Sequence, residues 1–516
     1  MQFVVDIALI LIYLCGFFLL CAWAWNFWLL YVGYKSSVDW SMFEIKLPRE
    51  IMKSPLAMEM ALASLLQGGG LSPAWYKQLF KGASPIYSSL EIASLEGVIH
   101  FYVRVQKRFR PLVESNLYAQ YPGIEIVEAD DYTKRIRYHH LSEDTKIWGV
   151  SFFLGKTWKP TNADTGEVYK KDGKEYSMRA DFYPIKTYVD YGLDKDPKEE
   201  FKNDPLTPLL EFMGSVGKGE YVWYQVLVQD ESIYNGTKRS KFFVNSMSGK
   251  SYNLKELAEE RKKQIRTSGY VIKGEVSADE FGVPKIIESF DKNFKQEFIE
   301  ETKDGKVVKV PKKIMAKYLE TKAVSKKEQE LTADEKDEIE AINKKISKPI
   351  ALVVIRLIYI AKSQNYNGAH VNSVLSAYKP FNGINSFGLS PTDPYDYPWQ
   401  TLGGKRIKWR GEEKFDAYVN RDGFFTNYEK ATSGFWDINL WEDSFFWSSS
   451  SKTRQFFHAI YNVIFHPFQS VTNTEISFLN MEELATIWHF PGATATTPTL
   501  PRIESMKGVA PVNLPL

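Results

Sequence analysis

The chain has 516 residues, with 65 Lys plus Arg against 63 Asp plus Glu. So even a balance supplies no global attraction to nucleic acid or acidic lipid, and any such binding has to be local. Both cysteines, Cys15 and Cys21, fall in the first apolar stretch, which excludes a disulfide framework and a cysteine metal site in the remainder.

That first stretch, Ile7 to Tyr34, contains no charged side chain. As a helix it exceeds the roughly 20 residues that cross a bilayer core of about 30 Å. A signal peptide would have a basic amino end and a small-residue cleavage site. Here the amino end carries Asp6, and the other end carries Trp23, Trp25, Trp28, Tyr31 and Tyr34 before Lys35. The expectation is a transmembrane helix in residues 1–35 that makes the lipid bilayer a partner. Lys35, Lys46, Arg49 and Lys53 all follow the span, which predicts a single-pass protein of the inner membrane, amino terminus outside and bulk cytoplasmic.

Residues 43–47 alternate like a strand and stop at Pro48. Ser54 and Pro55 then suit a helix cap and first turn. Strands are predicted over 88–95 and 98–105, joined by a tight Glu96-Gly97 turn. A helix over 107–120 and a strand over 124–127 complete a β-α-β-β-α-β order, which predicts a first ferredoxin-like module over 36–145. The same order is expected again over 146–516, with a strand over 180–191, a helix over 206–216 and strands over 221–229 and 350–361. Arg356 interrupts the last of these and is expected to be snorkelling or paired. Residues 231–348 are rich in Lys and Glu and read as a charged insertion; 254–265 and 326–346 have helix-favouring compositions, which leaves exposed helical hairpins and a flexible arm both open. Ordered loops are expected over 365–447, helices over 451–465 and 481–488, and an extended Pro-rich tail over 493–516. The fold class expected is therefore α+β: an anchor followed by two tandem ferredoxin-like modules, the second with a long insertion.

Patterns that would carry chemistry fail one by one. Gly249-Lys250-Ser251 copies the end of a P-loop, yet Val244 stands where the motif needs glycine. Gly214 to Gly219 lies between a helix and a strand, the wrong context for a nucleotide loop. His139-His140 diverge on a strand, and His458 and His466 are too far apart to share an ion on one helical face. Asp130-Asp131, Asp393 with Asp396, and Glu482-Glu483 read as caps, turns and solvated faces. An RRM would need stacking aromatics where this chain has Val98 and Ile99. No catalytic, metal or cofactor residue is assigned. The best candidate contact with nucleic acid or lipid headgroups is the cluster Lys405, Arg406, Lys408, Trp409 and Arg410, read as a strand or a solvated hairpin.

Four sets of phrases carry a resemblance: 43–49 with Ser54-Pro55; 100–102 with 117–122; 204–206 with 220–225; and 483–491. In these the sequence resembles the membrane-anchored amino-terminal region of conjugation and type IV secretion ATPases of the HerA-like, coupling-protein kind, and a related family of ATPase-less bacterial membrane proteins. The stretch resembling 497–515 leads into the motor domain there, and no Walker sequence occurs in this chain. The resemblance implies a non-enzymatic scaffold or docking component with a separate HerA-like ATPase as partner. A membrane-tethered nucleic-acid-binding module is the alternative.

Overall fold

The computed structural model describes residues 6, 13–18, 20–21, 38–48, 51, 53–67, 87–139, 143–160, 170–171, 174–175, 177–194, 203–231, 243–244, 251–267, 298–303, 306–311, 331–391, 405–421, 423, 476–492 and 500–503. Two compact units emerge: one of residues 1–154, 185–239 and 349–516, the other of 155–184 and 240–348.

The first unit is built on one sheet. Its elements, in chain order, are β1 (Trp40–Pro48), α1 (Pro55–Gln67), β2 (Ser88–Leu95), β3 (Val98–Gln106), α2 (Arg110–Gln120), β4 (Glu125–Glu128), β5 (Thr145–Leu154), α3 (Thr207–Ser215), β6 (Glu220–Asp230), β7 (Ile350–Lys362), α4 (Ala369–Ala377), β8 (Phe387–Pro391), α5 (Lys405–Val419), β9 (Ile476–Asn480), α6 (Met481–Ile487) and β10 (Arg502–Ile503). The strands run β8-β5-β7-β6-β2-β3-β1-β10, with β9 beside β7 and β4 beside β1. All the long pairings are antiparallel; only β1 with β10 is parallel.

Each half of the sheet has the order fourth, first, third, second: β4-β1-β3-β2 and β8-β5-β7-β6. The halves meet where β2 pairs with β6 from Leu95↔Tyr221 to Ser88↔Val228. This corrects the expected fold class. There are no two tandem ferredoxin-like modules behind an anchor, because the strands of both halves are hydrogen-bonded into a single continuous sheet. The membrane assignment is corrected too. Among the described residues no helix is long and apolar enough to cross a bilayer. This finding overturns the expected single-pass inner-membrane localisation. Of the expected span residues 13–18, 20 and 21 are described, as helix; the rest of it lies outside the described residues.

Strand periodicity explains the two faces. Alternate apolar residues of β1, β3, β5 and β7, such as Phe43, Phe101, Phe152 and Ile355, are buried with Met58, Leu117, Leu210, Val374 and Leu484 from the helices α1, α2, α3, α4 and α6. The opposite face buries Met42, Tyr102, Trp223 and Ile358 beneath Phe415 and Tyr418 of α5. The β2–β3 turn is tight because Glu96 and Gly97 both take positive φ, 55° and 91°. A side chain at Gly97 would meet Val216 O at 2.6 Å.

Other expectations change in the same unit. The strand predicted over 180–191 is a run of turns, and β5, which no pattern singled out, takes the place of the first strand of the second half. Loops expected over 365–447 include α4 and α5. The helix predicted over 451–465 and most of the tail lie outside the described residues. Arg502 donates to Pro48 O and starts β10 on the edge of β1.

The second unit holds the expected insertion. Among the described residues its helices are Leu254–Thr267 and Ala333–Ser347. Asn253 and Glu256 bond reciprocally at the start of the first, and Thr332 and Glu335 form a capping box on the second.

Candidate functional site

Antiparallel register places directly opposed residues on one face. On the α5 side this produces a polar row across seven strands. Glu44 of β1 faces Tyr102 of β3, and Tyr102 faces Glu91 of β2. Glu91 faces Gln225 of β6, Gln225 faces Arg356 of β7, and Arg356 faces Ser151 of β5, which faces Ser390 of β8. The row crosses the junction of the halves between Glu91 and Gln225. Its carboxylates stand in the first half and its arginine in the second.

Buried polar groups need partners, and α5 with the residues after it supplies them. Arg421 is 2% exposed and lies against Glu91, which is 0% exposed, with Nε 3.0 Å from Oε1. Its terminal nitrogens reach Asp131 at 2.5 and 3.0 Å. Glu91 also accepts from Ser89, Tyr132 and Gln225. Tyr132 and Tyr418 share a hydrogen bond of 2.7 Å, and Lys414 donates to Ser151. Gln225 Nε2 donates to both Glu91 and Tyr418 O; a flipped amide would set its oxygen against the carboxylate, so the orientation is fixed. Burial works to raise the Glu91 carboxyl, but Arg421, Ser89 and Tyr132 outweigh it and hold it below its usual value. Burial likewise works against Asp131, and Arg421 with Thr133 keeps it low. Burial drives the Tyr132 and Tyr418 phenols well up, so both stay protonated.

Arg421 takes φ +54° just past α5. Glycine normally fills such a left-handed position, and an L side chain costs about 1–2 kcal/mol there. The two carboxylates offset that strain. Arg356, expected to be snorkelling or paired, is buried and donates to Ala417 O.

A second buried pair joins two of the resembling phrases. His489, just after α6, places Nε2 3.0 Å from Asp204 Oδ2 and Nδ1 2.9 Å from Ala485 O. Both partners are acceptors, so both ring nitrogens carry protons and the imidazole is cationic. Burial works to lower the His489 pKa, but Asp204 and the Ala485 carbonyl raise it above the ordinary 6.5. The Asp204 carboxyl, opposed by burial, is pulled down by His489. The raised histidine contributes stability fully below pH 6.5, and that contribution is lost as pH rises through its folded pKa. The lowered aspartate contributes above the ordinary 3.8 and loses its share as pH falls through its folded value. Urea unfolding of the first unit should therefore show a midpoint that declines at both ends. His489→Gln should start lower and lose the alkaline decline.

Glu482 and Glu483, expected in caps, turns or solvated faces, are both buried. Glu483 completes the capping box of α6 with Asn480 and accepts from Ile185 N at 2.9 Å. Glu482 accepts from Thr187, and Thr486 accepts from Tyr188 N. Segment 185–188 is thus strapped to α6. The expected cap role of Asp131 is seen, since it accepts from Thr133 N; its pairing with Arg421 was not foreseen.

The five predicted contact residues, Lys405, Arg406, Lys408, Trp409 and Arg410, form the first turns of α5, not a strand or hairpin. Lys408 is exposed and Arg410 half-buried. Of the other pairs considered, His140, His458, His466, Asp393 and Asp396 lie outside the described residues. Among the described residues no group of three His, Cys, Asp or Glu could hold a metal ion.

Compared with known proteins, the chain matches no family model, no curated protein and no solved structure.

Proposed function

We propose that the chain is a docking scaffold for a separate ATPase of the HerA-like kind, and not itself a catalyst. The observation that supports this reading is where the chemically versatile side chains are spent. Arg421, Glu91, Asp131, His489 and Asp204 are closed on one another inside the first unit and tie distant segments to one sheet. Catalytic groups need access to a substrate; these hold a frame. The phrases through which the sequence resembles the HerA-like chains fold into that same frame, in β1, β3, β6, α2 and α6.

A second reading, contact with nucleic acid, is favoured by α5. Its first turn has no acidic residue, and its basic cluster runs against the helix dipole, an arrangement that an anionic partner would offset. One preparation separates the two. The full chain, affinity-tagged and isolated gently from its own cells, should bring down an ATPase bearing a Walker sequence in near-stoichiometric amount, and should show no salt-dependent retention of single-stranded DNA on filters. Recovery without any such ATPase across several conditions overturns the scaffold reading. DNA retention with a steep salt slope would establish the second one.

A further inference from the structure

Beyond the polar row, the α5 side of the sheet ends in a corner made by the first residues of β1 and the last of β3. Trp40 faces Gln106 there, and Met42 faces Arg104. Strand alternation puts all four side chains on one face. A single turn of 3-10 helix, Lys107–Phe109, then leads on to α2.

Two arginines flank Gln106 at this corner. Arg104 is half-buried, with Cζ 4.2 Å from the centre of the Trp40 ring. Its Nη1 is shut away from solvent without a hydrogen-bond partner, a costly state for a buried donor. Arg108 is exposed, with Cζ 4.7 Å from the centre of the Phe109 ring, and its Nε donates to Gln106 Oε1 at 3.0 Å. That bond leaves both terminal nitrogens of Arg108 without an acceptor among the described residues. Nor does any described carboxylate pair with either guanidinium: Glu114 and Glu128 are taken by Arg110, and Asp39 accepts from Lys107 N through its backbone carbonyl.

Stacking occupies the face of a guanidinium and leaves its in-plane N–H groups for a planar oxyanion. The rings also hold both groups in place beforehand, which cuts the ordering cost of an association. Burial pushes the Arg104 pKa down and Arg421 pushes it further, against the pull of Tyr87, Glu91 and Asp131; a carboxylate beside it would offset that cost.

We propose that this corner docks an acidic segment of a partner protein, with the terminal nitrogens of Arg108 gripping one carboxylate and Arg104, backed by Trp40, drawing a second. Trp and Arg are the side chains that most often anchor protein interfaces, and one guanidinium matches the single charge of one carboxylate. Trp40 carries Arg104 over its ring and Tyr87 beside it, so it is spent on the guanidinium and not held open for a stacked base. The proposal deepens the scaffold reading by naming the chemistry of the partner's contact. Its test uses a peptide and stands whether or not an ATPase is recovered.

That test is fluorescence-anisotropy titration of the full chain with a dye-labelled hexaglutamate peptide at low ionic strength, with hexaglutamine and an oligothymidylate of matched length as the other arms. Saturable binding of hexaglutamate alone is expected, weaker by about fivefold or more in Arg104→Gln and in Arg108→Gln. Lys379→Gln removes one charge from an exposed position in the other half of the sheet and should leave binding unchanged. Circular dichroism shows whether each variant keeps its fold, and Arg108, being exposed, tests the corner without disturbing the interior. The proposal is overturned if hexaglutamate does not saturate, if either folded arginine variant binds as well as the parent, if Lys379→Gln weakens binding as much as they do, or if hexaglutamine or oligothymidylate binds as tightly as hexaglutamate.

Discussion

Arg421→Met should lower the stability of the first unit by about 3–5 kcal/mol, because it leaves Glu91 ionised and buried without its cation. Glu91 is fully buried and its other partners, Ser89, Tyr132 and Gln225, are neutral donors that cannot replace a guanidinium 3.0 Å away. The substitution keeps a side chain at φ +54°, so it retains the backbone strain that the ion pairs had offset. Arg421→Gly relieves the strain by about 1–2 kcal/mol and should be the milder variant. Adding Glu91→Gln to Arg421→Met removes the stranded charge, and the double variant should be more stable than Arg421→Met alone. Urea midpoints of the four proteins measure this coupling. A double variant no better than the single one would mean that the pair contributes packing and not charge.

Glu483→Ala should be nearly as damaging, at about 3 kcal/mol. The carboxylate accepts from Asn480 N at 2.8 Å and from Ile185 N at 2.9 Å, in a place with no water access. Each donor left unpaired in a buried site costs about 1–3 kcal/mol. The effect has a location as well as a size. Amide exchange over 185–190 should accelerate, since that segment is strapped to α6 through Glu483, Glu482 and Thr486. Thr486→Val removes the acceptor for Tyr188 N and should accelerate the same amides to a smaller degree.

The parts of this frame that can be read from sequence are those whose local pattern agrees with their place in the sheet. The β2–β3 hairpin is announced by Glu96-Gly97, and β7 by a long apolar run, broken by Arg356, that matches burial on both faces. Segment 180–191 misleads because it is dense in aromatic and β-branched residues, although Pro184 in its middle argues against a strand. The true strand, β5, lies just where one module was expected to end. In α5, Ile407, Gly411, Phe415 and Tyr418 do recur at helical spacing, a period masked by the run of basic residues beside them. The joining of the halves through β2 and β6 has no local signature, because either strand would suit a sheet edge equally well. Arg421, Glu91 and Asp131 lie up to 330 residues apart, and only register brings them together. The capping pattern of Asn480 and Glu483 is visible in sequence, but the second bond of Glu483, to Ile185, is not.

On the proposed scaffold reading, the buried charges hold a frame and the frame serves a partner. The most direct measurement is recovery of the Walker-bearing ATPase by the full chain and by a neutralised form, Glu91→Gln with Asp131→Asn and Arg421→Met, compared at a temperature where circular dichroism shows both folded. The scaffold account predicts equal recovery, since the outer surface is unchanged when the interior charges are replaced together. Loss of the ATPase from the folded, neutralised form, or its absence from both, would contradict it.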